Sequence, residues 1–116
     1  MAEDLTILKN CCDLIYPLKE EEWECFSKGW TDISCKRKTI LTTAGETERY
    51  LYFVLEGVQR IYHLSALDRE ATVIFSYAGS FSGVADSLLT QTASVYFFET
   101  LTSSKLLRLD YRQLQT

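Results

Sequence analysis

Apolar residues recur along this chain with two different periods. From Asp4 to Ile15, Leu8, Cys11, Cys12 and Ile15 fall at helical spacing, with Leu5 and Leu14 beside the stripe, so a first amphipathic helix is expected. Pro17 opens a second helix, Leu18 to Ser27, with Glu20, Glu21 and Glu22 in its first turn, where negative charge suits the helix dipole, and Gly29 as its stop. Trp23, Phe26 and Trp30 make its inner face. No Lys or Arg is interleaved with them, which marks core aromatics rather than a platform for stacking bases.

After Gly29 the period shortens to two. Thr31 to Cys35 and Thr39 to Thr43 read as short strands around the basic turn Lys36-Arg37-Lys38, and Ala44-Gly45-Glu46 is a break. Tyr50 to Leu55 and Gln59 to Leu64 form the clearest strand pair, hinged at Glu56-Gly57. Ala66 to Arg69 reverses the chain into a strand from Glu70 to Tyr77. Tyr96 to Leu101 and Lys105 to Asp110 flank the turn Thr102-Ser103-Ser104, and Tyr111 to Gln115 opens another helix. Seven or eight short strands at near-regular spacing predict a closed or sandwiched antiparallel structure with helices at its ends.

The stretch Glu70 to Glu99 organises the rest. Two apolar strands, Ala71 to Tyr77 and Val95 to Phe98, flank a turn at Ala78-Gly79 and a segment, Phe81 to Leu89, that reads as one or two turns of helix. Ser82-Gly83-Val84 would present backbone N–H groups where glycine permits close approach, a geometry suited to an anion, with Ser82 placed to cap the helix. Between Glu70 and Glu99, however, the only charged residue is Asp86. A phosphate pocket built here lacks its main cation.

Composition narrows the function. The chain has 116 residues, a net charge of −4 and 47% hydrophobic content, which predicts one domain with a real core. An acidic chain whose best basic cluster is three residues long is not built to neutralise nucleic-acid phosphates. No apolar run suits a membrane helix and the N-terminus lacks a signal-peptide pattern, so the expected location is the cytoplasm, with Cys11, Cys12, Cys25 and Cys35 reduced. Their spacing fits no metal or cluster pattern. His63 is the only histidine, too few for a cupin-type metal enzyme, and nothing pairs it with a nucleophile or carboxylate dyad; no metal, cofactor or enzymatic activity is expected.

The order AGETERYLYFVLEGVQRIY, REATVIFSYAGSF, a short helix and SVYFFETLTSSKLLRLD resembles the cyclic-nucleotide-binding domain of the Crp/Fnr transcription regulators over about residues 5 to 116. The Gly45-Glu46 turn, the LYFVLEG strand ending at Gly57 and Phe81 before a short helix carry the likeness most specifically, and Arg60 and Tyr62 are similar to a branch found in Bacteroidetes-type bacteria. The resemblance implies a mainly β protein with flanking helices, a double-stranded, jelly-roll-like β-roll over residues 30 to 110, preceded by helices in 1 to 29 and followed at 111 to 116 by the start of a C-terminal helix. It also places a phosphate-binding cassette at Phe81, Ser82, Gly83, Val84, Ala85, Asp86 and Ser87, closing at Ser94, Val95 and Tyr96.

Two departures separate this chain from members that bind nucleotide. Their cassette opens with phenylalanine, glycine and glutamate, read here as Phe81, Ser82 and Gly83, so the glutamate that meets the ribose is absent. It ends with proline, arginine, a small residue and alanine, read here as Ala93, Ser94, Val95 and Tyr96, so the arginine that pairs with the phosphate is absent as well. An arginine contributes about 1.5–3 kcal/mol per hydrogen bond to such an anion, and cyclic nucleotide binding is therefore not expected. Arg60 and Arg69 are the bases placed to compensate. The expected function is the sensor domain of a Crp/Fnr-like regulator, its effector unknown or lost. DNA binding would reside in a C-terminal domain absent here, and the longer protein would be a homodimer; a free-standing small-ligand or interaction module is the alternative.

Overall fold

The computed structural model describes residues 2–15, 19–67 and 69–114, with the backbone alone at positions 2, 3, 15, 25, 86 and 114. Expectations for Pro17, Leu18, Asp68 and Gln115 lie outside the described residues. Two helices, α1 (Ala2–Ile15) and α2 (Glu20–Ser27), precede eight strands: β1 (Trp30–Cys35), β2 (Ile40–Thr42), β3 (Tyr50–Glu56), β4 (Val58–Leu64), β5 (Glu70–Tyr77), β6 (Phe81–Ser82), β7 (Phe97–Thr100) and β8 (Ser104–Asp110). A short α3 (Ala85–Thr90) lies between β6 and β7, and α4 (Tyr111–Leu114) follows β8.

The strands form two four-stranded antiparallel sheets, ordered β1-β8-β3-β6 and β2-β7-β4-β5. The strands on either side of Gly57, expected as a pair, do not pair with each other: β3 bonds β8 and β6, β4 bonds β7 and β5, and the turn at Gly57 carries the chain from one sheet to the other. Its φ is +96°, and a Cβ there would stand 2.6 Å from the Ser103 carbonyl oxygen, so the turn needs glycine for both conformation and space. The fold is the mainly β, jelly-roll-like roll that the resemblance implied, and its two antiparallel sheets are the sandwiched structure that the strand spacing predicted.

Alternation along β3 and β8 explains why they read as continuous apolar runs. Tyr52, Val54 and Leu106 point between the sheets, where they meet Ile61, Val84 and Phe98 in one core cluster. Their neighbours Phe53, Leu107 and Leu109 point the other way and pack with Leu8 and Trp30, beneath Cys11, Cys12, Trp23 and Phe26 from the helices. Both faces of these strands are thus buried. Trp30 opens β1 rather than ending the second helix, but its ring still stands edge-on to Phe26 at 5.6 Å.

The basic turn 36–39 is held from inside. Thr100, fully buried, donates its Oγ1 proton to the Lys36 carbonyl at 2.7 Å and accepts the Thr39 N–H at 2.8 Å. Lys36, Arg37 and Lys38 themselves are exposed.

Phe98 is fully buried, with its ring 5.2 Å from Tyr52 across the space between the sheets. Phe98→Ala is expected to cost about 3–5 kcal/mol by urea denaturation, whereas Val73→Ala on the exposed edge strand should stay within about 1 kcal/mol. Equal effects would refute this location of the core.

Candidate functional site

The cassette begins where β5 ends. Ser80 closes the turn by donating its hydroxyl to the Tyr77 carbonyl at 2.6 Å, and Phe81 and Ser82 then pair with Phe53 and Tyr52 as β6. Two residues expected to be helical are therefore strand, and α3 starts only at Ala85. Ser82 does not cap it. Val84 is the N-cap, without a side-chain hydrogen bond, while the Ser82 hydroxyl donates to Ser76 Oγ at 3.1 Å because strand pairing turns it toward β5.

Gly83 has φ +122°, and a Cβ on it would stand 3.0 Å from the Tyr50 carbonyl oxygen. A glutamate there would be strained and crowded, so the glycine of the nucleotide-binding pattern belongs at Gly83 and the glutamate's counterpart is Val84. Val84 is 3% exposed and packs in the core between the sheets. The acid is replaced by an apolar residue.

A carboxylate reaches the cassette from elsewhere. Glu48, 2% exposed, accepts the Thr42 hydroxyl at 2.6 Å and the Val84 N–H at 3.2 Å on Oε2, and the Tyr50 N–H at 3.2 Å on Oε1. Its backbone is held as well: its N–H donates to Ser87 Oγ at 2.8 Å and its carbonyl accepts Gln91 Nε2 at 2.9 Å. Burial pushes the Glu48 carboxyl above its ordinary value, and the hydrogen bonds from Thr42, Val84 and Tyr50 counter only part of that rise. The N–H at the start of the cassette helix, expected to face a ligand, is already taken by the protein's own acid.

Beside this lies a cavity of about 410 Å³, lined by Leu51, Ile61, Ile74, Phe81, Leu88 and Leu89, with Gly83 and Ala85 completing its wall. Ser82 supplies its one side-chain hydroxyl, and no charged residue lines it among the described residues. The Asp86 side chain lies outside them. A smaller recess next to it adds Val73, Val84 and Tyr96.

The remaining candidates disperse. Ser87 is buried under Glu48 and donates to the Thr92 carbonyl at 2.5 Å. Ser94, also buried, folds onto Tyr96, accepting its N–H at 2.9 Å and donating to its carbonyl at 2.8 Å, while Val95 is exposed. Arg60 sits on the sheet face opposite Ile61. It bonds Glu99 at 3.1 Å and Glu70 at 2.6 Å, and its guanidinium lies 4.0 Å from the Tyr62 ring centre. Arg69 is exposed at the β4–β5 turn. Neither lines the cavity.

Sequence reading passed over Arg108, which points into the roll on the same face of β8 as Leu106 and stacks 4.4 Å over Tyr50; its Nε is buried without a partner. Glu48 was passed over too, because a single acid in a turn looks like solvent-facing charge until its three donors are seen. Burial raises the thiols of Cys12 and Cys35 above their ordinary range, which lowers their reactivity, and the Cys25 side chain lies outside the described residues. Among the described residues no three His, Cys, Asp or Glu side chains converge on a metal position, and no helix is long and apolar enough to cross a membrane.

Because the folded-state Glu48 carboxyl titrates above its ordinary 4.5, it binds its proton more tightly folded than unfolded. Its contribution is fully present below that value and is lost as pH rises through the raised one. Relative to Glu48→Gln, the natural protein should therefore lose thermal stability as pH rises from about 4.5 toward neutrality, then run parallel to the variant. Parallel melting curves from pH 4 to 8 would refute the assignment.

The model of the cyclic nucleotide-binding domain matches residues 32–116. Among curated proteins no match is found. Solved structures give the fold: the N-terminal domain of a transcriptional regulator from Streptomyces coelicolor A3(2) is 24% identical with a TM-score of 0.72, covering 84% of this chain and 67% of that one. The catabolite activator protein of Thermus thermophilus is 20% identical with a TM-score of 0.75 over 88% of this chain, which spans 47% of that protein. The sensor domain of the transcriptional regulator DNR from Pseudomonas aeruginosa is 17% identical with a TM-score of 0.78, covering 98% of this chain and 77% of that one. With the two-sheet roll, its cassette between β5 and β7, and a family model matching from Asp32 onward, this chain belongs to the cyclic nucleotide-binding domain family.

Proposed function

We propose that this domain is the sensor of a Crp/Fnr-like transcription regulator of the Bacteroidetes-type branch, one whose cassette no longer binds cyclic nucleotide. The observation that carries this reading is the cavity wall: apolar side chains and one hydroxyl, with the Val84 N–H already on Glu48. A cyclic phosphate brought here would lose its hydration and gain no cation, a loss that the hydrogen bonds of one serine do not offset. Arg60 offers no remedy, since its guanidinium is engaged by Glu70 and Glu99 on the other face of its sheet. Regulators among the structural neighbours, including the sensor domain of DNR, support the sensor role.

In this reading the domain is cytoplasmic, homodimeric within a longer regulator, and neither an enzyme nor a metal or cofactor carrier. It contacts DNA only through a separate basic domain, because a chain of net charge −4 whose best basic cluster is three residues long is not built to neutralise phosphates. Its effector is a small molecule other than a cyclic nucleotide.

Calorimetric titration with cyclic AMP and cyclic GMP should show no binding at micromolar concentrations. A Kd of about 10 μM or tighter, worth about 7 kcal/mol, would overturn the reading. Gel shift of promoter DNA with this 116-residue chain should likewise give no complex; a sequence-specific shift would remove the need for a separate DNA reader.

A further inference from the structure

We propose that the cavity beside Ser82 receives a small neutral molecule with an apolar body and one hydrogen-bond donor, an O–H or N–H aimed at the Ser82 oxygen. The inference rests on the reading above, that the family's pocket persists here without its charges, and it adds the chemical class of the occupant.

The argument starts at the far end of the roll. Ser104 Oγ donates to the Thr102 carbonyl at 2.9 Å, and a carbonyl can only accept, so the one Ser104 proton is committed there. Ser104 must then accept from Gln59, whose Nε2 lies at 2.9 Å. That fixes the Gln59 amide with its oxygen toward Ser76, at 3.0 Å, and Ser76 donates to it. Ser76 in turn accepts from Ser82 at 3.1 Å.

Gln59, Ser76 and Ser104 are all buried, at 0%, 4% and 4% exposure, so no single link can reverse without leaving a polar group unsatisfied, and the Ser104 bond to the Thr102 carbonyl sets the direction of the whole. The chain therefore runs one way across the roll, from the cavity wall to the β7–β8 turn. Ser82 gives its proton inward and presents only lone pairs to the cavity.

This polarity selects the ligand. A carboxylate or phosphate carries acceptors alone and meets an acceptor on a wall with no cation among the described residues. A hydroxyl or N–H on an apolar body satisfies Ser82 while the body covers Ile61, Ile74, Phe81 and Leu88. A volume of about 410 Å³ lies within the range of small-molecule pockets, roughly 300–1,000 Å³.

Three probes of one shape separate the possibilities: 2-naphthol, a donor; 2-methoxynaphthalene, an acceptor only; and 2-naphthoate, an anion. In NMR titrations of the 116-residue chain, 2-naphthol should bind about five- to tenfold tighter than the methoxy ether, with naphthoate weakest. Ser82→Ala should bring naphthol and ether within about twofold while leaving the ether unchanged. Ile74→Trp, which fills the cavity from the half-exposed edge strand, should weaken both by about tenfold or more. The proposal is overturned by an ether or anion that binds as tightly as naphthol, by a donor preference that survives Ser82→Ala, by undiminished binding to Ile74→Trp, or by no binding of any probe. Cyclic AMP is titrated alongside. Its binding would refute this proposal and the sensor reading together, whereas failure of the naphthyl probes without cyclic AMP binding refutes this one alone.

Discussion

A buried carboxylate without a cation holds the cassette to the roll. Glu48 ties three segments with one side chain: Thr42 at the end of β2, the Tyr50 N–H at the start of β3, and the Val84 N–H at the N-cap of α3. A carboxyl taken out of water is costly to ionise unless donors replace its hydration, and three donors from three segments replace part of it only while all stay in place. The carboxylate thus makes the position of α3 conditional on the β2–β3 loop. Ser87 and Gln91 reinforce the same junction through the Glu48 backbone.

The consequence is a site in which the protein satisfies its own polar groups before any ligand arrives. Where a nucleotide-binding member would direct donors and a cation at a phosphate, this chain has turned one N–H toward Glu48, folded Ser94 onto Tyr96 and directed the Ser82 proton toward Ser76. Arginines are present but engaged: Arg60 on the outer face with two acids, Arg108 inside the roll against Tyr50. Desolvation then works against an anion, and the apolar wall of Ile61, Ile74, Phe81 and Leu88 favours a molecule with little charge to desolvate.

Much of this architecture was legible in the chain because local chemistry and global fold agree. Strands β3 and β4 announced themselves by apolar runs on both sides of Gly57, and the structure gives that glycine a φ of +96°, but each strand pairs within a different sheet, which local pattern could not tell. The run Tyr52-Phe53-Val54 lacks strict alternation, and the reason lies in the packing: helices cover one face and the opposite sheet covers the other. Phe81 and Ser82 misled, because two residues of strand cannot be told from the first turn of a helix by periodicity when pairing with β3 decides the matter.

The sequence by itself determined the class of fold and the absence of a base in the cassette, since hydrophobic period, glycine turns and residue identity are local properties. Tertiary structure decided which groups remain available. Whether an arginine is free or paired, whether a turn glutamate faces water or caps a helix, and which way a serine points its proton all depend on partners 6 to 45 positions away in the chain, as between Thr42 and Glu48 or Gln59 and Ser104. Hydrogen bonds and ion pairs are short-ranged and directional, so no pattern along the chain encodes them until folding has brought the partners within about 3 Å.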